Sequence, residues 1–507
     1  MTQSENRRIA KNTIFLYLRM LLIMFVSFYT SRVTLRILGI EDYGIYQSVC
    51  GVVTFLAFIS NALGGGTSRF ITYEMGKEKP ELGSLFSTVR ITHIILGIII
   101  FIAGEIVGQW FIKYKLIIPF ERIPAAQFAF HFSMITTFFQ ITQIPYNAVI
   151  IAYERMNVYA YVSIAEAVLK LLIVFLLNML AFDKLQVYSV LLCLVTVLIM
   201  LIYRIYCRKN FKEVKSKITF SKDMLKSVVS FSSWSLLGNS ATSFANQGVT
   251  IVTNMFFAPA VVTVRSLSLQ INGIVNQFIA NFRTAVNPQI VKKYAAGDFV
   301  GSKNLLLTST KYTYFLSFIV VLPLFLLLEP ALKIWLGKVP DGTIPFVQLA
   351  LIQALFQVFD TSLYSAFYAK GQIKENALIS PIFGFIQLPI VYVLFKLGFP
   401  AITLGWVAVI CYGILGIIIK PILVHKVIGF DIFEIFKIII NCGVVTVLAS
   451  VLPVLLCFVV NRNTLVGFIS ILMLSFISIG FVVYFIGIDR NTRNTVIKII
   501  KGKICKK

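Results

Sequence analysis

The chain has 507 residues, of which 58% are hydrophobic and 13% are charged. A water-soluble domain is nearer half apolar and a quarter charged, so this composition excludes an ordinary soluble protein. The formal net charge of +25 would suit nucleic-acid binding, but alternate loops hold roughly three times as many Lys and Arg as the loops between them. This is the positive-inside pattern of membrane proteins. The charge therefore reports topology, and no nucleic-acid partner is expected.

Apolar runs long enough to cross a bilayer follow one another along the whole chain. The first run follows the basic stretch 1–11 and is too long for the core of a signal peptide, so it is interpreted as an uncleaved helix. Segments are predicted at 12–38, 44–74, 84–110, 124–151, 157–181, 185–206, 227–257, 261–291, 303–328, 343–369, 375–397, 400–424, 433–460 and 464–487. Because their number is even, both termini lie on one side, and the excess of basic residues places that side in the cytoplasm. The expected location is an inner (plasma) membrane.

These segments form two sets of six and a final pair. The expected domains are an N-terminal six-helix lobe at 1–206, a basic cytoplasmic linker at 207–226, a C-terminal six-helix lobe at 227–424, and two further helices with a basic tail at 425–507. A short repeat at a constant offset of 221 residues supports two lobes, because Tyr73 matches Tyr294 and Arg90 matches Lys311. The predicted fold class is an all-α membrane protein with about fourteen transmembrane helices. Two six-helix bundles surround a central cavity, and two helices follow at the C-terminus.

Cations inside the predicted segments are the most informative residues. They are Arg19, Arg32, Arg69, Arg90, Lys170, Arg265, Arg283 and Lys311, and the other Lys and Arg, which lie in loops or near segment ends, are counted with the loops. A cation at mid-helix costs roughly 2.5–3.5 kcal/mol if it faces lipid. Away from the segment ends, the acids are only Glu105, Glu166 and Asp360. Glu166 precedes Lys170 by four residues, which is the spacing of an ion pair on one helix face.

The distance of each cation from the end of its segment decides between two interpretations. Side chains near a segment end can snorkel to the headgroups, and this alternative stays open for Arg32, Arg69 and Arg265. The residues Arg19, Arg90, Arg283 and Lys311 lie about two turns or more inside their segments, where snorkelling is harder. We therefore predict that these four line a water-filled cationic lumen. Such a lumen suits an anionic passenger, and a pyrophosphate matches the donor geometry of Arg.

Polar residues recur at helical spacing in the seventh and eighth segments. One stripe is Asn239, Ser243, Asn246, Thr250 and Asn254, and the other is Arg265, Asn272, Asn276, Arg283 and Asn287. One interpretation is a path for sugar hydroxyls, with Asn246, Asn272 and Asn276 as substrate-binding residues. The alternative is hydrogen bonding between helices, which needs the same residue types.

The scattered cysteines and histidines lack the spacing of metal ligands. No metal, cofactor or catalytic residue is expected.

The segment from Arg36 to Tyr46 reads RILGIEDYGIY, and it resembles the signature near the start of Wzx-type polysaccharide and O-antigen flippases. The N-terminal stretch RRIAKNT, the stretch GTSRF that contains Arg69, and residues 256–259 (FFAP) are similar to that family too. These flippases belong to the multidrug/oligosaccharidyl-lipid/polysaccharide exporter superfamily. The resemblance implies alternating access and an undecaprenyl-pyrophosphate-linked oligosaccharide as cargo. Membrane lipid and glycan polymerase machinery are the other expected partners.

Two rival functions stay open at this point. An ion-coupled drug or cation antiporter of the same superfamily would use buried acids, for which Glu105, Glu166 and Asp360 are the candidates. A membrane glycosyltransferase places acids in its first external loop, where Glu41 and Asp42 stand. That rival also needs long external loops to hold donor and acceptor, and the predicted external loops are short. The prediction is a flippase rather than an enzyme.

Overall fold

The computed structural model describes residues 3–55, 64, 67–68, 70–71, 73–75, 80–153, 155–215, 219–226, 240–241, 243–372, 374–488 and 493. Within these ranges the chain is helical, with short turns and no strand. The helices are α1 (Gln3–Phe55), α2 (Leu82–Tyr114), α3 (Ile123–Ala152), α4 (Met156–Met179), α5 (Lys184–Asn210), α6 (Val249–Phe256), α7 (Pro259–Ala295), α8 (Phe299–Leu326), α9 (Leu328–Leu336), α10 (Thr343–Lys370), α11 (Lys374–Lys396), α12 (Thr403–Ile428), α13 (Ile432–Val459) and α14 (Leu465–Gly487). The all-α prediction is confirmed for this part of the chain.

Ten helices in the described ranges are long and apolar enough to cross a membrane. They are a span at Leu22–Val49 within α1, then α2, α4, α5, α8, α10, α11, α12, α13 and α14. The long helices α3 and α7 are richer in polar side chains and do not belong to this set. The chain is therefore a multi-pass membrane protein. The count of fourteen spans stays a prediction.

The chain forms two compact units. The first comprises Met1–Ser266 and Gly384–Ala401, and the second comprises Leu267–Phe383 and Ile402–Lys507. The first unit contains α1 to α6 and the start of α7, and the second contains the rest of α7, α8 to α10 and α12 to α14. Helix α11 begins in the second unit and continues in the first. These boundaries differ from the lobes at 1–206 and 227–424, which stay predictions.

A break at Gly39 divides α1 into two helical stretches. Gly39 has φ 78° and ψ 174°, a left-handed conformation that a residue with a side chain rarely adopts. The break lies between the first two predicted segments, 12–38 and 44–74. The glycine in the RILGIEDYGIY motif therefore ends one helical stretch and lets the next begin.

Glycines also set how closely α2 and α3 pack in the first unit. A Cβ atom at Gly104 would lie 2.2 Å from Cε of Met134, and one at Gly108 would lie 2.1 Å from Cζ of Phe130. The sequence from Gly104 to Gly108 has the Gly-x-x-x-Gly spacing that lets membrane helices approach closely. Dispersion contacts between these surfaces replace the hydrophobic driving force that lipid does not supply.

Candidate functional site

The predicted cationic residues divide between the two units. Arg90 lies on α2 in the first unit, is partly buried, and has no hydrogen bond or ion pair with another described residue. Arg283 on α7 and Lys311 on α8 belong to the second unit. The Lys311 ammonium lies 5.7 Å from the centroid of the Tyr312 ring, within the range of a cation–π contact. Arg19 lies on α1, but its side chain is outside the described part of the structure, as is all of Arg69.

Arg283 sits beside a buried ion pair in the second unit. Its Nε atom is buried and has no hydrogen-bond partner among the described residues. The carboxylate of Asp360, on α10, interacts electrostatically with Arg283 and lies 2.9 Å from Nζ of Lys420 on α12. One carboxylate thus faces two cations, so this cluster carries an excess of positive charge.

Lys420 is the residue that the sequence analysis placed wrongly. It lies near the end of the predicted segment 400–424 and is counted there with the loop cations, yet it is 1% exposed and lies within α12. Besides Asp360, its ammonium donates a hydrogen bond to Oδ1 of Asn376 and lies 5.7 Å from the ring centroids of Tyr364 and Phe367. The sequence signal that points to a buried lysine is Asp360, because an acid inside an apolar segment requires a cationic partner.

Two of the predicted sugar-binding amides join helices to each other. Nδ2 of Asn272 donates to the Ala350 carbonyl on α10 at 2.8 Å. Nδ2 of Asn276 donates to Oδ1 of Asn272 at 2.7 Å and to Oε1 of Gln357 at 2.8 Å. Oδ1 of Asn287 likewise accepts from Ser365 at 2.7 Å. These contacts between α7 and α10 favour the inter-helix alternative for this stripe, and a role in substrate binding stays a prediction.

The stripe of the preceding helix is described only in part. Asn239 lies outside the described residues. Asn246 lies in a π-helical turn, Phe244–Gly248, and its carbonyl accepts from Thr250 at 2.9 Å. Asn254 is fully buried, and its Nδ2 donates to the carbonyls of Ile117 and Phe257. Asn254 therefore helps to hold α6 against the loop after α2.

Each of the three acids in the predicted segments has a basic neighbour. The predicted ion pair is confirmed, with Nζ of Lys170 lying 2.6 Å from Oε1 of Glu166. Oε1 of Glu105 lies 3.1 Å from Nδ1 of His131, and Asp360 faces Lys420 as described above. Among the residues that the structure describes, no group of three His, Cys, Asp or Glu side chains could hold a metal ion.

Arg265 is buried and Arg32 is exposed, so the snorkelling alternative is disfavoured for Arg265 and stays open for Arg32. Arg265 is 4% exposed, so protein rather than lipid or water surrounds it.

Arg122 ties together three turns of the first unit. Its Nε donates to Oδ1 of Asp42 at 2.8 Å, and its Nη2 lies 2.6 Å from Oδ2 of Asp42. Its Nη1 lies 2.5 Å from Oδ2 of Asp183. Asp183 also caps α5, because its Oδ1 accepts from the backbone N–H of Leu185 and Gln186. We call Asp42, Arg122 and Asp183 the Arg122 clamp. Its residues come from three turns that the sequence assigns to the external face.

The carboxylate of Asp183, in the Arg122 clamp, should make the stability of the protein sensitive to acid. Burial raises the pKa of Asp183, but hydrogen bonds from Arg122 and from the backbone outweigh burial and bring the pKa below its ordinary value. The unfolded carboxyl titrates near pH 4, so the stabilisation is complete above about pH 4 and is lost as pH falls through the folded pKa. Asp183→Asn keeps the helix cap and removes the charge. We expect it to lower stability by about 1 kcal/mol at pH 7 and to flatten the acid dependence of the apparent Tm. An unchanged dependence would contradict this role.

The RILGIEDYGIY motif also determines how α1 meets α7 in the first unit. A Cβ atom at Gly44 would lie 2.0 Å from the carbonyl oxygen of Pro259, so only glycine fits there. Oγ1 of Thr263 donates to the carbonyl of Ile40 at 2.7 Å. Gly39 forms the break in α1 and Asp42 belongs to the Arg122 clamp. The structure therefore accounts for the residue types at several positions of the motif.

Comparison with known proteins gives a family match. Residues 9–294 match the family described as "Polysaccharide biosynthesis protein". No curated protein sequence matches the chain.

Solved structures of transporters share the fold at low sequence identity. Lipid II flippase MurJ, in an inward closed conformation, has a TM-score of 0.69 and 14% identity, over 94% of this chain and 99% of that one. The multidrug transporter DinF-BH of the MATE group has a TM-score of 0.61 and 16% identity, over 85% and 96%. A MOP superfamily transporter from Pyrococcus furiosus has a TM-score of 0.59 and 17% identity, over 82% and 96%. The chain therefore has the fold of MOP superfamily transporters.

Proposed function

Because the chain belongs to the polysaccharide biosynthesis protein family, we propose that it is a flippase for an undecaprenyl-pyrophosphate-linked oligosaccharide. It would carry this lipid across the inner membrane for the synthesis of a surface polysaccharide such as O-antigen. Both termini would lie in the cytoplasm, and glycan polymerase machinery would use the product outside. The reaction is translocation, so no bond is formed or broken.

The balance of charge inside the described helices carries the proposal. Glu166 is neutralised by Lys170, and Asp360 faces both Lys420 and Arg283. Arg90 has no counter-ion among the described residues. Cations therefore exceed acids, and a mobile anion would complete the balance. A pyrophosphate can accept several charge-assisted hydrogen bonds from Arg and Lys.

Alternating access supplies the movement. The pyrophosphate and first sugars would enter from the cytoplasmic side and contact Arg19, Arg90, Arg283 and Lys311, while the polyprenyl chain stays in lipid. Rearrangement of the two lobes would then open the lumen to the other side.

The same contacts count against the two rivals. A proton- or sodium-coupled antiporter of drugs needs a carboxylate that is free to bind the coupling ion, and Glu105, Glu166 and Asp360 each have a basic neighbour. A glycosyltransferase would need Asp42 as its acid or base, but Arg122 holds both oxygens of that carboxylate. Both observations support transport of an anion.

A quadruple variant tests the proposal. Arg19→Gln, Arg90→Gln, Arg283→Gln and Lys311→Gln together should leave membrane insertion intact, because removing a cation from a spanning helix makes insertion easier. Loss of even one charge-assisted hydrogen bond costs about 1.5–3 kcal/mol, or roughly 10- to 100-fold in affinity. We expect surface glycan to fall at least tenfold and lipid-linked glycan to accumulate in the inner leaflet.

The matched control removes four exposed lysines from loops and helix ends: Lys113, Lys115, Lys333 and Lys338. The sequence assigns these to the external face, where their loss agrees with the positive-inside rule. This control should export glycan as the wild type does. Normal surface glycan in the quadruple variant would contradict the proposed role of the four cations.

A further inference from the structure

The first unit contains a polar cavity whose lining includes none of the predicted site residues with described side chains. It consists of two adjoining chambers of about 390 and 310 Å³ between α1, α3, α4 and α5. Gln47, Lys170 and Tyr188 belong to the lining of both chambers. We call this space the N-terminal cavity. Each chamber is within the size range of sites that bind small molecules.

Hydroxyl and amide groups dominate the polar lining. The first chamber includes Ser27, Thr30, Ser31, Thr34 and Ser163, and the second includes Ser133, Thr136, Thr137 and Gln140. Among the side chains that the structure describes, Glu166 and Lys170 are the only charged ones in the lining, and they neutralise each other at 2.6 Å. The cavity therefore offers donors and acceptors without net charge, which suits an uncharged, hydroxyl-rich ligand.

Two hydroxyls in the first chamber have no hydrogen-bond partner. Oγ1 of Thr30 and Oγ1 of Thr34 are buried and unpartnered among the described residues, and Thr34 as a whole is 2% exposed. A helical threonine usually satisfies its hydroxyl on the carbonyl one turn earlier, as Thr136 does on Phe132 at 2.8 Å. A buried hydroxyl without a partner costs free energy, so a ligand that hydrogen-bonds to these two groups would remove that cost.

Aromatic rings complete the lining. The rings of Tyr46 and Tyr188 pack edge to face with centroids 4.9 Å apart, and Tyr43 and Tyr159 line the first chamber. The phenol of Tyr43 is already hydrogen-bonded to Gln47 and Ser31, which fixes its ring. Rigid rings with polar tips can pack on the C–H faces of a sugar while their hydroxyls bond its edges.

We propose that the N-terminal cavity is the subsite for the uncharged sugar residues of the cargo. This inference rests on the proposed function and deepens it. It separates recognition of the sugars, by neutral groups of α1 and α3 to α5, from recognition of the pyrophosphate by cations. A quaternary or organic cation would instead need a carboxylate free of Lys170.

Direct binding by the full-length protein in nanodiscs tests this subsite. One probe is undecaprenyl pyrophosphate, and the other is the lipid-linked glycan pool extracted from source cells in which this gene is deleted. We expect the wild type to bind the glycan-bearing pool at least tenfold more tightly, since each sugar hydroxyl adds a hydrogen bond. Equal binding of the two probes by the wild type would overturn the inference.

A variant that removes only lining groups sharpens the test. Thr30→Val, Thr34→Val and Gln140→Leu together delete polar atoms that make no hydrogen bond to another described residue, so the protein should stay folded. We expect the preference for the glycan-bearing pool to fall roughly tenfold while affinity for undecaprenyl pyrophosphate is unchanged. The matched control is Gln143→Leu, which makes the same change one turn along α3, outside the cavity lining. A preference retained in the triple variant would overturn the inference.

Failure here differs from failure of the proposed function. If deletion of the gene accumulates no lipid-linked glycan, the flippase assignment is wrong, and the subsite with it. If the glycan accumulates but the cavity variant keeps its preference, only the subsite is wrong.

Discussion

Replacing Asp360 with leucine is expected to destabilise the protein by about 3–5 kcal/mol. The change leaves the Lys420 ammonium, whose side chain is 2% exposed, without its counter-ion. A buried charge that loses its partner bears its full desolvation cost, because neither water nor another anion can replace the carboxylate. The apparent Tm of the detergent-solubilised protein should fall by on the order of 10 °C.

A double variant separates a lost charge balance from lost packing. Asp360→Leu combined with Lys420→Met replaces the ion pair by apolar groups of similar volume, which is often nearly neutral. We expect it to recover part of the stability lost in the single variant, because Lys420 no longer needs a counter-ion while Arg283 still lacks the nearby carboxylate. The matched control is Glu329→Gln, which breaks the pair between Glu329 and Lys333 on α9, where Lys333 is exposed, and should cost less than about 1 kcal/mol. If Asp360→Leu lowered stability no more than Glu329→Gln does, this result would contradict the buried ion pair.

Gly44→Ala should destabilise the first unit by about 2–3 kcal/mol. The added Cβ would lie 2.0 Å from the Pro259 carbonyl oxygen, and this neighbour is backbone, so no side-chain rotation can relieve the overlap. Helices α1 and α7 would have to separate locally. That shift would also strain the bond from Thr263 to the Ile40 carbonyl. Thermal unfolding monitored by fluorescence gives the measurement.

The comparison variant is Gly273→Ala on α7. No atom lies within 4 Å of a Cβ built at Gly273, and the residue is exposed. Alanine is favoured over glycine inside a helix by roughly 0.5–1 kcal/mol, so this variant should be slightly more stable than the wild type. If Gly44→Ala and Gly273→Ala had the same effect, the close approach of α1 to α7 would not exist.

Local sequence signals predicted the helices and the break in α1. Apolar runs of membrane-spanning length mark most of the observed helices, because lipid requires each segment to satisfy its own backbone hydrogen bonds. Gly39 and Gly44 belong to the RILGIEDYGIY motif, and the structure gives a backbone reason for glycine at both positions. The pair of Glu166 and Lys170 followed from spacing on one helix. The resemblance to polysaccharide exporters is confirmed by the family match.

Contacts between segments that are distant along the chain could not be predicted from the sequence. Lys420 is 60 residues from Asp360, and its position near a segment end looked like that of a loop lysine. The amides of Asn272 and Asn276 had the spacing of a lumen stripe, yet a stripe has the same spacing whether it faces water or another helix. Serine, threonine and tyrosine occur in most of the helices. Only the packing of α1 with α3, α4 and α5 reveals which of them enclose the N-terminal cavity.

Reconstitution in liposomes is the direct test of whether the protein moves lipid-linked glycan between leaflets. The purified protein would be placed in vesicles that contain the lipid-linked glycan pool in both leaflets, and the fraction accessible to an external glycosidase would be followed with time. Flippase activity predicts that protein-containing vesicles expose the whole pool, while empty vesicles expose only the outer half. Vesicles that keep half of the glycan protected but extrude an organic cation against an ion gradient would contradict it.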